Sequence, residues 1–306
     1  MRDAFLDELY NIACRDRRVI LLSDDLGAPS LDKFRRDLHH QYFNVGIAEQ
    51  GMVSLAAGLA LGGKVVFAYG IAPFLTLRCL EQIKIGMCSM NLPVTILGVG
   101  AGYAYDNAGL THHAVEDISI MNILSGMTIL SPSDNVMVTA FAQIAYTSPG
   151  PKYIRFDREK FPLIYDENKS DFSAGLAVLR EGRDITIVAT GIMVHQALKV
   201  ADELSKHAVD AGVIDLYRIK PLNEALLMEA VAKTRRVVTM EENFLSGGIG
   251  SIIASLLADR GETVRLRRFG VPDKYLSQGG GREELHRLSG LDVASVTENT
   301  LRWLGK

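Results

Sequence analysis

Short runs of consecutive apolar residues alternate along this chain with longer stretches in which apolar positions recur every three or four residues. Val19-Ile-Leu-Leu-Ser23 is one such run, and an unbroken apolar run of this length reads as a strand covered on both faces. Residues 64–69, 93–99, 127–130 and 152–156 repeat the signal. Between them, residues 2–15, 47–62, 74–90, 115–125 and 132–146 carry helical spacing, the last opened by Pro132-Ser133-Asp134 as a cap. Strand–helix alternation predicts a parallel sheet with helices on both faces. The rhythm breaks over the polar segment 162–182 and then resumes. Strands are expected at 184–189, 211–216, 236–240 and 264–269, with helices at 193–207, 222–232 and 248–258 and one or two more in the tail 282–305. The expected fold class is therefore α/β with two doubly wound domains, a parallel-sheet domain over 1–165 and a smaller one over 183–306, joined by a linker at 166–182.

The segment 47–62 stands apart from the other helices. Met52, Val53, Leu55, Ala56, Leu59, Ala60 and Leu61 point in nearly every direction, while Gly51, Ser54 and Gly58 add only small groups. A helix without a polar face is expected to be buried all round, in a core or at a subunit contact. Its one charge is Glu49, in the first turn. Two readings stand side by side: a solvated acid complementing the helix dipole, and a buried carboxyl tuned for chemistry.

Composition narrows the classes. The 306 residues are 48% hydrophobic and 23% charged, with a net charge of −3. Neither sign dominates, which argues against general nucleic-acid or membrane-surface binding. No apolar run approaches the ~18 residues of a membrane span. The first residues read as an acidic amphipathic helix and not as a signal peptide. Three cysteines, Cys14, Cys79 and Cys88, show no C-x-x-C spacing and read as reduced, buried thiols of a cytoplasmic protein.

Val45-Gly-Ile-Ala-Glu-Gln-Gly51 resembles the segment that carries the cofactor-activating glutamate in the transketolase family of thiamine diphosphate enzymes. Asp215-Leu-Tyr-Arg-Ile-Lys-Pro-Leu-Asn223 and Thr239-Met-Glu-Glu-Asn-Phe-Leu-Ser-Gly-Gly-Ile-Gly250 look like landmarks of the same family. The resemblance implies a pyrimidine-binding domain over 1–165 followed by a transketolase C-terminal domain. It gives Glu49 the carboxyl that hydrogen-bonds N1′ of the aminopyrimidine, which makes the 4′-amino group basic enough to take the proton from C2. Phe74 falls on the stacking position, with Ile71 where a second Phe is usual, Leu77 where some members carry Tyr, and Ile47 also beside the cofactor. In the glycine-rich stretch 98–117, His112 matches a substrate-contacting histidine and joins Glu49 as a catalytic candidate. His113 is read as structural, Glu116 and Asp117 as orienting the loop, and Asp106 and Asn107 as substrate-binding. Arg158 matches an arginine for the acceptor's phosphate and Arg2 a second one, while Asp157 stands where a phosphate-binding Ser is usual.

The departures carry information too. Ala108, Gly100 and Leu110 replace an aspartate, a phosphate-contacting histidine and a proline of sugar transketolases. No Gly-Asp-Gly segment occurs, and Ser23-Asp24-Asp25-Leu-Gly27 lacks the flanking glycine and later Asn that a hard cation needs. The resemblance thus implies half an active site, with no metal ligands of its own. Thiamine diphosphate would be shared with a partner subunit that supplies the diphosphate and Mg²⁺ ligands, in an α2β2 assembly acting on small sugars. Three alternatives remain: the β subunit of a 2-oxo acid dehydrogenase E1 component, a deoxyxylulose-phosphate-synthase-like enzyme whose C-terminal segment resembles 270–285, and a non-catalytic nucleotide-binding α/β module.

Overall fold

The computed structural model describes residues 1–306 except 28, 168 and 277–279. Two parallel-dominated sheets organise it. The first is built from β1 (Val19–Ser23), β2 (Tyr42–Asn44), β3 (Val65–Ile71), β4 (Val94–Val99), β5 (Thr128–Leu130) and β6 (Lys152–Phe156). The second contains β7 (Ala177–Arg180), β8 (Ile185–Ala189), β9 (Ala211–Asp215), β11 (Arg236–Phe244) and β12 (Arg265–Val271), in the order β12-β11-β8-β9-β7. A further strand, β10 (Arg218–Lys220), comes from the second half of the chain yet pairs antiparallel with β5. It completes a seven-stranded first sheet in the order β10-β5-β6-β4-β3-β1-β2.

Alternation along β3 shows how the first sheet is covered. Phe67 and Tyr69 point into one apolar layer with Phe5, Leu6 and Leu9 of α1 (Arg2–Arg15) and Val138 and Phe141 of α7 (Asn135–Thr147). Val66 and Ala68 point into the other, with Met52, Val53 and Ala56 of α3 (Glu49–Leu61). α2 (Asp32–Asp37) lies between β1 and β2 in the chain. Asp134 caps α7 through its side chain, which accepts from the Met137 amide at 2.9 Å. α8 (Met193–Lys206), α9 (Glu224–Ala232) and α10 (Ile249–Asp259) accompany the second sheet, and α11 (Gly281–Ser289) and α12 (Val293–Leu304) form the tail.

Several elements differ from expectation. The helix expected from 47 begins at Glu49. Gly46 takes a φ of +72° and its amide is held by Asn44 Oδ1 at 2.8 Å, so the chain turns before Ala48 and leaves Ile47 outside the helix. α3 is also not buried all round in this chain: Gly51, Ser54, Leu55, Gly58 and Leu61 line an exposed stripe. The helix expected over 74–90 is broken into α4 (Ala72–Thr76), α5 (Leu80–Gln82) and a π-helical turn, Ile83–Cys88, whose Gly86 packs close to Ala57 of α3. The helix expected over 115–125 shrinks to α6 (Asp117–Asn122). The segment expected as a linker contains β7, which pairs antiparallel with β9. Of the cysteines, Cys79 is buried and Cys14 exposed. Among the described residues no helix is long and apolar enough to cross a membrane.

Candidate functional site

In the first sheet β1 pairs with β2 on one side and β3 on the other, so the winding reverses between β1 and β3. Open α/β sheets place ligands in the crevice outside the carboxyl ends of strands at such a reversal. Glu49, Asp24, Ile71 and Phe74 all lie at this edge: Asp24 follows β1, Ile71 ends β3, Phe74 comes next in α4 and Glu49 opens α3.

Glu49 is 3% exposed, which removes the reading of a solvated first-turn acid. Its surround is not purely apolar. Arg78 donates from Nη1 to Glu49 Oε2 at 2.6 Å, while Oε1 accepts no hydrogen bond from the described residues. Arg78 in turn lies over the Phe74 ring, 4.6 Å from its centroid. The Phe74 ring meets His112 edge-on at 5.1 Å, His112 meets Tyr105 at 5.7 Å, and Arg158 lies over Tyr105 at 5.1 Å. The structure thus joins Glu49, Phe74, His112 and Arg158 through Arg78 and Tyr105, two residues that no sequence motif marks. Arg78 lies 29 positions from Glu49, and nothing local signals the pairing.

Gly100 explains Tyr105. A Cβ at Gly100 would overlap the Tyr105 ring, and the backbone there has φ +94°. The ring fills the space that a side chain at 100 would take.

His112 Nδ1 shares a hydrogen bond with Thr111 Oγ1 at 2.8 Å. His113 is buried, and its Nε2 pairs with the Asp106 carbonyl at 3.3 Å, in keeping with a structural role. Asp106 is heavily committed: Oδ1 accepts the Asn107 amide at 2.7 Å and Oδ2 the Arg282 amide at 3.0 Å. Asn107 is exposed and Ile47 is 79% exposed, whereas Ile71 is buried. Asp117 accepts from Tyr153 Oη at 2.6 Å and Arg155 Nε at 2.8 Å, and Arg155 also reaches the Ala114 carbonyl at 3.5 Å, so the exit of the glycine loop is fixed from below.

A second buried cluster lies behind the loop. Arg282 bridges the two halves of the chain, donating to Asp157 Oδ2 at 2.5 Å and to both oxygens of Glu242 at 2.9 and 2.5 Å. His286 Nε2 shares Glu242 Oε1 at 2.5 Å. Burial alone would raise the Glu242 carboxyl, but the charges of Arg282 and His286 overcome it and hold Glu242 well below the usual carboxylate range. Asp157 is therefore ion-paired to Arg282 from behind and does not confront Arg158 as a free charge. Gly102 makes room for this cluster, since a Cβ there would overlap the Glu242 carboxylate.

Comparison with known proteins agrees with this architecture. Residues 1–162 match the model of the transketolase pyrimidine-binding domain and residues 175–296 that of the transketolase C-terminal domain. The chain is 33% identical over 307 residues to an apulose-4-phosphate transketolase subunit of Phocaeicola vulgatus, covering 100% of this chain and 97% of that one. It is 38% identical over 278 residues to the 6-deoxy-6-sulfo-D-fructose transketolase subunit SqwH of a Clostridium species, covering 90% and 85%. It is also 33% identical to the 1-deoxy-D-xylulose-5-phosphate synthase 1 of Geobacter sulfurreducens, of which it spans 47%. A solved structure described as a split gene transketolase, inactive beta4 tetramer, superposes with a TM-score of 0.88 at 32% identity, covering 98% of this chain and 97% of that one. With both domain models matched in order and full-length relatives at this identity, the chain belongs to the transketolase family.

Proposed function

We propose that this chain is the pyrimidine-binding and C-terminal subunit of a split transketolase-type enzyme, transferring a two-carbon ketol unit from a ketose donor to an aldehyde acceptor on thiamine diphosphate. The observation that carries the reading is the unbroken line Glu49–Arg78–Phe74–His112–Tyr105–Arg158 along the carboxyl edge of the first sheet. The residues fit the cofactor: the line offers a buried carboxylate with one oxygen unpartnered among the described residues, and an aromatic face beside it. Mg²⁺ and the diphosphate ligands are assigned to a partner subunit.

When bound, the cofactor would supply the nucleophilic carbon for ketol transfer. The protein's part is positional and electrostatic. Arg78 pins Glu49 Oε2 and leaves Oε1 to hold a proton at N1′ of the aminopyrimidine. Phe74 gives the ring a flat partner. His112 is assigned to hydrogen-bond the oxygen of a donor or acceptor. Arg158, exposed and laid over Tyr105, offers a cation to the far, anionic end of the sugar. The relatives named for a phosphorylated and a sulfonated ketose support an anionic terminus. The exposed stripe of α3, with Ile47, Leu77, Ile85 and Met90 also exposed, is assigned to the partner contact.

A second reading, synthesis of 1-deoxy-D-xylulose 5-phosphate, is favoured by the match over 98% of this chain to one such enzyme. Reconstitution with a partner that carries Gly-Asp-Gly separates the two: transfer from phosphorylated or sulfonated ketoses is expected, and deoxyxylulose phosphate formation without it would replace the first reading. In the same pair, Glu49→Gln is expected to abolish hydrogen–deuterium exchange at C2 of bound cofactor with the fold unchanged by circular dichroism. An unaltered exchange rate would remove Glu49 from its role.

A further inference from the structure

Asp24 is a second buried acid in the crevice. It follows β1 directly, is 4% exposed, and its amide joins the Tyr69 carbonyl of β3 at 3.2 Å. Its Oδ2 occupies the place a side chain on Gly70 would need: a Cβ there would lie 2.5 Å away. Its Oδ1 is buried with no hydrogen-bond partner among the described residues. Asp117 and Asp215 also leave one oxygen bare, but in each the other oxygen is held by two side-chain donors: Tyr153 and Arg155 for the first, Ser133 and Tyr165 for the second. Asp24 receives no side-chain donor at all among the described residues. A buried carboxylate left in this state is costly, whereas a carboxylic acid is tolerated. The charged groups that act on Asp24 are Glu49, Asp25 and Arg78, and Arg78 is already committed to Glu49. Tyr69, Tyr105 and Cys79 feel its charge in turn. Burial, and then the charge of Glu49, push the Asp24 carboxyl up to about 7 against the opposing Ile71 amide and Arg78.

We propose that Asp24 is a positioning residue for the activating acid: it stands at the β1–β3 crevice as a neutral carboxylic acid, so that the Asp24–Glu49 pair carries a single charge, which rests on Glu49 and is held by Arg78. The proposal rests on the role assigned to Glu49 above. When Asp24 ionises, a second negative charge competes for Arg78, and Glu49 loses the contact that fixes its orientation.

The experiment has two arms. In the cofactor-free chain, thermal midpoints are measured from pH 5 to 8.5 for wild type, Asp24→Asn, Glu49→Gln and the double variant. Asp24 binds its proton more tightly folded than unfolded, so its contribution is fully present below the ordinary carboxylate range and is lost as pH rises through about 7. The gap between Asp24→Asn and wild type should therefore open between pH 5 and 8, and in the Glu49→Gln background it should shrink and move to lower pH. A gap that is flat with pH, or identical in both backgrounds, overturns the proposal. If Asp24→Asn does not fold, the wild-type and Glu49→Gln profiles alone decide: the same loss near pH 7 in both overturns it. In the reconstituted pair, C2 exchange of bound thiamine diphosphate should fall as pH passes 7 in wild type and stay level in Asp24→Asn. Exchange that survives Glu49→Gln would sink the role of Glu49 in the function. Exchange lost in Glu49→Gln but with the same pH profile in Asp24→Asn as in wild type would sink Asp24 alone.

Discussion

Lys152 opens β6 in a position where every residue of the strand is buried. Its ammonium donates to the Gly150 carbonyl, at 2.8 Å, and burial pulls it down to about 8. A lysine that binds its proton less tightly folded than unfolded penalises the folded state at neutral pH, and the penalty fades as pH rises towards the free-lysine range. Lys152→Met is expected to raise stability by about 3 kcal/mol at pH 7, with most of the gain gone by about pH 10; denaturant unfolding at both pH values checks this, and a pH-independent effect would mean that packing, not charge, is responsible. At this same scale the sequence was legible where a motif named a residue and opaque where the meaning was a contact. Glu49, Phe74 and His112 stood out in the chain and lie together in space. Gly100 stood out only as a substitution; its reason is the Tyr105 ring laid against it, five positions away across a φ of +94°.

Elements tell a similar story. β1, β4, β6 and β8 were legible because burial on both faces leaves an unbroken apolar run. β2, β7 and β10 were not, for they are three or four residues long, lie at sheet edges and have an exposed or half-exposed side. α3 was legible as apolar throughout, but the pattern does not say which side this chain covers itself. Its outward stripe of Gly51, Ser54, Leu55 and Gly58 follows the i, i+3, i+4, i+7 spacing of a second packing face. No heavy atom lies within 4 Å of where a Cβ on Gly58 would stand. Gly58→Trp is therefore expected to leave the thermal midpoint of the isolated chain near wild type while preventing association with the proposed partner subunit. Sedimentation velocity of the mixed subunits measures it, and normal assembly would move the contact elsewhere.

Over the whole molecule, one side chain ties the two halves together from within. Arg282 contacts Asp157 and Ala101 from the first half, Glu242 from the second, and through its amide the Asp106 turn. These contacts come from positions 40 to 181 residues distant, which is why no local pattern announced them. Removing one partner of a buried ionic cluster strands the others, at about 3–5 kcal/mol. Arg282→Ala should cost that much in equilibrium unfolding and should raise the KM for the proposed anionic sugar, because the loop bearing His112 loses its anchor. A loss below about 1 kcal/mol would mean that His286 and water compensate fully.

β10 has a consequence for how this polypeptide can be cut. The Tyr217 carbonyl accepts the Ser131 amide at 2.8 Å, Arg218 and Lys220 pair with Leu130 and Ile129, and the Lys220 ammonium ties down the Asn122 and Leu124 carbonyls at 2.6 and 2.7 Å. A fragment ending near residue 165 would present β5 as a bare, apolar margin, ready to recruit any extended strand it met. Expressed by itself, that piece should precipitate or form ladders, and adding the missing half in trans should rescue it.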